Sequence, residues 1–294
     1  MSKRAKSFFA LLCAVLLLTG VGASALAVVD LETGAPAKSR VTIVPYVEVP
    51  LFADGEFIGS GIMIDSVTYV PLLSFTEAML GEDCEASWDQ ESGFTTLLSS
   101  NLVITLGLED RYMTANGRYL YLADGAYNLN GTVLVPIREL AKVFGLRVEW
   151  DHDDWAVNID TSDMALLESG DTFYNQEDLY WLSHVIYAES GNQPLEGMIG
   201  VGNVVLNRAN DDSGHFADGI RGVIFQSGQF AVAESGAIYL EPNELSVAAA
   251  KMCLEGYNTV GDSKWFLNPA LSSTKWFDTY KQLSYVIADH NFYA

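Results

Sequence analysis

Short apolar runs of the kind that form β-strands dominate the first half of the chain. Two of these runs belong to a weak internal duplication, in which a run ends at a proline, a short helical stretch follows, and a strand with a Trp-Asp pair returns. The first copy covers residues 68–89 and the second covers residues 133–151. Proline can open a helix because the N–H that it lacks would have no partner there. The pattern predicts two βαβ-like halves within residues 41–160.

Helix signals replace this pattern in the second half. Asn175 is a good N-cap, Gly191 a good helix stop and Pro194 a good first helical residue, so helices are predicted over about residues 176–190 and 194–208. The polar segment 161–174 between the halves is predicted to be a linker. We therefore expect an α+β N-terminal domain over residues 41–160 and an α-rich C-terminal domain over residues 175–294.

The first 27 residues have the features of a secretory signal peptide. Lys3, Arg4 and Lys6 precede an apolar run over residues 8–18, and Ala25, Leu26 and Ala27 resemble a small-x-small cleavage site. The apolar run is shorter than the ~20 residues that a membrane-spanning helix needs. An uncleaved anchor is the alternative interpretation. We expect a protein that is secreted or held in the cell envelope.

Charge excludes one class of partner. The 294 residues include 16 Lys and Arg against 38 Asp and Glu, a formal net charge of −22. Binding to DNA or RNA depends on basic side chains that displace counterions from phosphates, so no nucleic-acid partner is expected. Cys84 and Cys253 fall in different predicted domains and lack the spacing of a zinc or redox site. We expect two partly buried thiols, with a disulfide bridge as the alternative.

One carboxylate ends an otherwise apolar helix face. In the helix over residues 176–190, Leu182, Val185 and Ile186 lie seven, four and three residues before Glu189, on the same stripe. Burial disfavours the charged form of a carboxyl group, and so does the negative end of the helix dipole. The pKa of Glu189 is therefore predicted to be raised, as in a general acid. The alternative is a glutamate that turns into solvent at a frayed helix end.

The next helix carries a polar ribbon along a mainly apolar surface. The ribbon consists of Glu196, Gly200, Asn203 and Asn207. Such a ribbon suits the wall of a substrate groove, because its glycine allows close approach. A solvated helix face is the alternative.

Several blocks of the second half resemble the SleB/CwlJ-type cell wall hydrolases, which include the spore cortex-lytic enzymes. The blocks are IYAES at residues 186–190, Pro194, EG at 196–197, VVLNR at 204–208, VIFQ at 223–226, QF at 229–230, WF at 265–266, NP at 268–269, His290, and FY at 292–293. They follow the order of the family and span about residues 178–293.

This resemblance implies a lysozyme-like fold that cleaves peptidoglycan glycan strands between N-acetylmuramic acid and N-acetylglucosamine. It also implies a lytic transglycosylase mechanism, in which one glutamic acid, here Glu189, protonates the leaving oxygen. The carboxylate then assists the muramic acid 6-hydroxyl in closing a 1,6-anhydro ring. The family commonly has a second acid where this chain has Gln193. If an enzyme nucleophile is needed, another acid about 5 Å away must supply it; Glu196, Glu234 and Asp262 are the candidates.

Six further residues are candidates for contact with the sugar. Asn207, Gln229 and Tyr293 can form hydrogen bonds, and Phe230, Trp265 and Phe266 can offer flat surfaces to pyranose rings. Core packing is the alternative for each aromatic residue. His290 is expected to be a hydrogen-bonded structural histidine.

The first half resembles the copper amine oxidase N-terminal-like domain over about residues 42–160. His152 lies among three aspartates, which we interpret as a solvated acidic turn and not as a cation site. Trp88 and Trp150 are interpreted as core residues. The domain is expected to position the protein through contact with an envelope protein or a glycan, without catalysing a reaction.

Other kinds of chemistry lack their signatures. The four histidines show no HExxH spacing, and no GxSxG nucleophile elbow or phosphate-binding glycine loop is present. We therefore expect an enzyme without a metal or cofactor. A non-catalytic envelope-binding or structural protein is the alternative from another functional class.

Overall fold

The computed structural model describes residues 24–29, 41–81, 84–272 and 276–294. The predicted signal peptide lies outside these ranges except for residues 24–27, which belong to the first strand. Within the described ranges, no helix is long and apolar enough to cross a membrane.

Two β-sheets and two short helices form the N-terminal half. In chain order the elements are β1 (Ser24–Val29), β2 (Val41–Ala53), β3 (Glu56–Ile64), β4 (Val67–Pro71), α1 (Leu72–Leu80), β5 (Glu85–Trp88), β6 (Phe94–Leu98), β7 (Val103–Gly107), β8 (Tyr112–Ala115), β9 (Arg118–Tyr121), β10 (Tyr127–Leu129), β11 (Thr132–Pro136), α2 (Ile137–Val143), β12 (Arg147–Asp151) and β13 (Ala156–Asp160). One sheet has the order β10-β11-β4-β3-β2-β13-β12, with β1 on β2, and the other is the meander β5 to β9. A single apolar core includes residues of both sheets and both helices.

The internal duplication is present, but its halves are not parallel βαβ units. Each copy has its strand, helix and returning strand, and Pro71 and Pro136 stand at the helix starts as predicted. However, β4 pairs antiparallel with β11, β5 joins the other sheet, and β12 pairs antiparallel with β13. Residues 137–146, which connect β11 to β12, are fewer than the dozen or more that a parallel crossover needs.

The segment between the two halves runs along the first domain. Its backbone N–H groups at Ala165 and Leu167 donate to the carbonyls of Phe144 and Val143, at 2.9 and 3.0 Å. Met164, Leu166 and Leu167 pack against the core of the first domain. The segment is therefore held along most of its length.

Helices dominate the C-terminal half. The elements are α3 (Gly170–Phe173), α4 (Gln176–Ser190), α5 (Leu195–Ala209), α6 (Gly219–Phe225), α7 (Ala231–Ser235), a short 3-10 turn (Ala237–Tyr239), α8 (Glu244–Leu254), β14 (Trp265–Leu267), α9 (Trp276–Tyr280), β15 (Leu283–Ile287) and β16 (His290–Tyr293). The side chain of Asn175 accepts hydrogen bonds from the N–H groups of Glu177 and Asp178, as an N-cap does. The α-rich domain is thus confirmed, and it also contains the three-stranded sheet β14-β16-β15.

A buried ion pair joins the two halves. The guanidinium of Arg118, on β9, donates to both carboxylate oxygens of Glu255 at 2.5 and 2.6 Å. The hydroxyl of Tyr174 donates to the same carboxylate. Both charged side chains are less than a tenth exposed. Nearby, the hydroxyl of Tyr257 donates to Glu139 of α2.

Candidate active site

Glu189 lies in the last turn of α4, at the end of the apolar stripe that the sequence predicts. Leu182, Val185 and Ile186 are fully buried beneath it. Glu189 is half-buried, and this burial raises the pKa of its carboxyl group, while the cation of Arg208 acts in the opposite direction. The predicted rise in pKa is confirmed, so this carboxyl holds its proton at a higher pH than an exposed glutamate does.

Glu189 faces a cleft and not open water. The cleft has a volume of about 280 Å³. It is lined by Glu189, Asn192, Gln193, Phe266, Leu267, Asn268, Leu271 and His290. Within the described part of the chain, Glu189 is the only carboxylic acid among the lining residues. The three candidates for a second acid, Glu196, Glu234 and Asp262, do not line it.

Gln193 has a structural partner within this wall. Its Nε2 donates to Oδ2 of Asp289 at 3.1 Å, and its Oε1 accepts from the backbone N–H of Asp289 at 3.2 Å. Asp289 stands in the turn between β15 and β16, so Gln193 fixes this hairpin to the end of α4. An amide can donate and accept at once, whereas a glutamate carboxylate at this position could only accept.

Arg208, at the end of α5, carries the positive charge that lowers the pKa of Glu189. Its side chain is 5% exposed, and its Nε donates to the carbonyl of Lys264 at 2.6 Å. The guanidinium lies over the rings of Phe216 and Phe230, at 5.3 and 5.0 Å from their centroids. Its buried Nη1 has no hydrogen-bond partner among the described atoms. Burial lowers the pKa of Arg208 to about 10, so it remains a cation at neutral pH.

His290 differs from the expected hydrogen-bonded histidine. It is buried, its ring packs edge-on against Phe266 at 5.4 Å, and its Nδ1 has no partner among the described atoms. Burial lowers the pKa of His290, and the charge of Asp289 opposes this effect only in part. The cleft therefore holds a neutral imidazole at neutral pH.

Of the six residues predicted to contact sugar, only Phe266 lines the cleft with Glu189. Phe230 and Tyr293 are buried in the core of the domain. Trp265 lies on the face of β14 opposite to Phe266, and the Nζ of Lys281 lies 3.1 Å from the centroid of its ring. Gln229 is half-buried in the turn between α6 and α7.

Asn207 and the rest of the polar ribbon hold a loop. Nδ2 of Asn207 donates to the carbonyls of Gly261 and Ser263 at 2.7 and 2.9 Å. Asn203 donates to the carbonyl of Tyr257 and accepts from Thr259. The ribbon is thus neither a groove wall nor a solvated face as a whole, because segment 257–263 covers it and leads into β14.

The sequence does not predict most of the cleft lining. Asn192 follows Glu189 closely, whereas Leu267, Leu271 and His290 come from a distant part of the chain that only the fold brings to Glu189. The sequence marks Gln193 only as the residue that replaces a family acid, and its hydrogen bonds to Asp289 become visible only in the fold. Within the described residues, no group of three or more His, Cys, Asp or Glu side chains is arranged to hold a metal ion.

Both halves of the chain match known families. Residues 192–293 match the family described as Cell Wall Hydrolase, and residues 54–159 match the copper amine oxidase N-terminal domain.

Two curated relatives are spore cortex-lytic enzymes. The one from Oceanobacillus iheyensis is 32% identical over 113 residues, which are 38% of this chain and 40% of that protein. The one from Bacillus cereus is 33% identical over 110 residues, 37% of this chain and 42% of that protein. The chain thus spans about two fifths of the length of these relatives. Among solved structures, the catalytic domain of the germination-specific lytic transglycosylase SleB from Bacillus anthracis is 30% identical, with a TM-score of 0.38; the match covers 44% of this chain and 100% of that one.

Proposed function

Because the C-terminal half carries a cell wall hydrolase domain, we propose that the protein cleaves the glycan strands of peptidoglycan between N-acetylmuramic acid and N-acetylglucosamine. The observation that carries this proposal is a carboxyl group with a raised pKa that is the only acid among the described residues lining a cleft. The spore cortex-lytic relatives support the same substrate class. The proposed site of action is the cell wall, and the proposed substrate within it is the peptidoglycan of the spore cortex.

The first step is proton donation by Glu189. A carboxyl group must be protonated to act as a general acid, and burial raises the pKa of Glu189, so that it keeps its proton to a higher pH than an exposed glutamate does. The proton passes to the glycosidic oxygen, the bond from this oxygen to C1 of the muramic acid breaks, and positive charge develops at C1. The Glu189 carboxylate that remains is stabilised by the cation of Arg208.

The second step uses the same carboxylate as a base. A retaining mechanism with an enzyme nucleophile needs a second carboxyl group about 5 Å from the first. Among the described residues that line the cleft, Glu189 is the only one with a carboxyl group. The 6-hydroxyl of the muramic acid therefore attacks C1 and gives its proton to Glu189. The product is a 1,6-anhydro ring, and the carboxyl group is again protonated. This is the reaction of a lytic transglycosylase.

The remaining lining suits an amino sugar. Phe266 offers a ring to a pyranose face, and Asn192 and Asn268 carry amides that can both donate and accept hydrogen bonds. His290 adds a neutral imidazole. These groups carry no net charge, as a neutral sugar with hydroxyl and N-acetyl groups requires.

Glu189→Gln tests the proposal. The amide keeps the shape of the side chain but has no proton to give, so lysis of purified peptidoglycan in a zymogram should be lost. Glu196→Gln is the matched control, because Glu196 is exposed on the neighbouring helix and should retain full lysis.

Mass spectrometry of the released fragments identifies the reaction. Anhydro-muropeptides support the transglycosylase, whereas reducing ends require water as the attacking group and would correct the second step. Undiminished lysis by Glu189→Gln overturns the assignment of the acid. Absence of any fragment from the wild-type protein favours the non-catalytic envelope-binding alternative.

A further inference from the structure

A cavity larger than the cleft at Glu189 lies elsewhere in the described part of the protein. It has a volume of about 590 Å³ and lies mainly in the N-terminal domain. Its walls come from the β3–β4 turn, the start of α2 and the β12–β13 hairpin, and Tyr257 of the C-terminal half closes one side. Nothing in the proposed reaction uses this cavity.

Two tryptophans of the β12–β13 hairpin form an aromatic wall in the cavity. The rings of Trp150 and Trp155 lie 5.6 Å apart at an angle of 83°. The indole N–H of Trp150 donates to Nδ1 of His152 at 3.2 Å. Trp155 is 61% exposed, so its ring is a large apolar surface that the fold leaves in contact with water.

The backbone conformation at Trp155 is unusual for a residue of its type. Its φ is 49°, and it is the only aromatic residue among the described non-glycine residues with positive φ. This conformation costs a bulky residue free energy, whereas asparagine or glycine adopts it readily. Neither core packing nor the turn requires an indole here, and such strain is typical of sites that bind ligands.

Charge restricts the ligand. The cavity wall carries the carboxylates of Asp124 and Glu149, together with that of Glu139, which is paired with Lys142, against the guanidinium of Arg138. An anionic polymer would be repelled. A neutral ligand that has apolar faces and many hydroxyl groups fits, because the indoles contact its faces and the carboxylates accept hydrogen bonds from its hydroxyl groups.

The cavity and the cleft share one segment of the chain. Tyr257 lines the cavity, and Phe266, nine residues later, lines the cleft. Nine residues reach at most about 32 Å when extended. The segment between them is fixed to α5 through Asn203 and Asn207. The two sites are therefore close enough for a single glycan strand to reach both.

We propose that this cavity is a second glycan-binding site, which holds neutral amino-sugar units of peptidoglycan against Trp150 and Trp155. The inference rests on the proposed function for the identity of the polymer. It goes beyond that function because it assigns a binding site, with its residues, to the N-terminal domain.

The test uses the full chain carrying Glu189→Gln, so that the polymer is not degraded. Cosedimentation with purified sacculi, stripped of attached anionic polymers, measures the affinity. Adding Trp155→Asn should weaken binding about tenfold without lowering thermal stability, since asparagine accepts positive φ. Trp155→Phe should retain most of the binding. Trp88→Asn is the matched control: Trp88 is 56% exposed in the same domain but does not line the cavity.

Several outcomes would overturn the inference. They are equal binding by Trp155→Asn and Trp88→Asn, absence of binding by the parent, and binding that requires the anionic polymers. Cleavage of short soluble glycan fragments by the protein with Glu189 intact is measured separately. Trp155→Asn should leave this activity unchanged. If no cleavage occurs but Trp155-dependent binding does, the proposed reaction fails while the second site stands.

Discussion

At the scale of single residues, the reactivity of Glu189 results from two opposing effects. Burial raises the pKa of its carboxyl group, and the cation of Arg208 lowers it. Arg208 is itself buried, with an unpaired Nη1 among the described atoms. The acid must hold a proton before cleavage and lose it afterwards, so a balance between the two effects serves both steps.

Replacement of Arg208 should change the pH dependence of the reaction. With Arg208→Gln, the effect that lowers the pKa of Glu189 is gone, so the acid stays protonated to higher pH. The alkaline limb of the pH–rate profile should move to higher pH, while the glutamine can still donate to the carbonyl of Lys264. Arg221→Gln is the control, because Arg221 is exposed over Trp181 and Phe225. A shift to lower pH, or none, would contradict the role given to Arg208.

Gln193 provides a second test at this scale. In Gln193→Glu, the new carboxylate faces the carboxylate of Asp289. It has no N–H group to donate the hydrogen bond that Asp289 accepts from Gln193. The free energy of unfolding should therefore fall by roughly 1–3 kcal/mol at neutral pH. The pKa of this new glutamate would be raised in the folded state. Stability should therefore recover as pH falls, and thermal melting at acidic and neutral pH measures this. Gln282→Glu, an exposed change beside the same hairpin, should show no such pH dependence.

The sequence was sufficient to predict the position of Glu189 but not its neighbours. Spacing on one helix placed Glu189 after Leu182, Val185 and Ile186, and this needs only the helical period. The side chains of His290 and Gln193 reach the cleft through long-range packing, which one-dimensional spacing does not contain. The same limit applies to Trp88, for which the prediction of a core position is wrong because its side chain is exposed.

At the scale of elements, close helix packing holds α4 in place. A Cβ at Gly202 of α5 would lie 2.6 Å from Sγ of Cys253 and 2.9 Å from Cδ1 of Ile186. Only glycine allows α4, α5 and α8 to approach this closely. Cys253 is buried between them, and burial raises the pKa of its thiol, which donates to the carbonyl of Ile199.

Gly202→Ala should therefore destabilise the protein. Overpacking costs about 1–3 kcal/mol, which exceeds the ~1 kcal/mol that alanine gains over glycine in a helix. Gly222→Ala in α6 is the control, because the nearest atom to its added Cβ, in Ala217, is 3.4 Å away, so this change should be neutral or stabilising. Chemical denaturation measures both. A stable Gly202→Ala protein would show that the helices have room to separate.

Elements were easier to predict than their pairing. The bounds of α4 agree with the caps at Asn175 and Gly191, because capping is local chemistry. The pairing of β4 with β11 joins the two copies of the duplication, and hydrophobic patterning does not specify which strand is the neighbour.

At the scale of the whole molecule, the Arg118–Glu255 pair connects the domains. Both side chains are largely buried, and breaking a buried pair by removing one partner costs roughly 3–5 kcal/mol. In Glu255→Ala, separation of the domains lets Arg118 regain water. The calorimetric melting curve should therefore split into two transitions.

Arg147→Gln is the control for this change. Its ion pair with Asp160 lies on the surface within the first domain, and surface pairs contribute little to stability. Its melting curve should keep the shape of the wild type. A single, unshifted transition in Glu255→Ala would show that the interface does not depend on this pair.

The Arg118–Glu255 pair also has a consequence for the products. If one rigid body binds a glycan strand near Trp155 and cleaves it near Glu189, the distance between the binding site and the cleavage site is constant. Such a protein acts as a molecular ruler, and its fragments should cluster around a preferred length. Glu255→Ala should broaden the distribution of fragment lengths, while the type of bond that is cleaved stays the same.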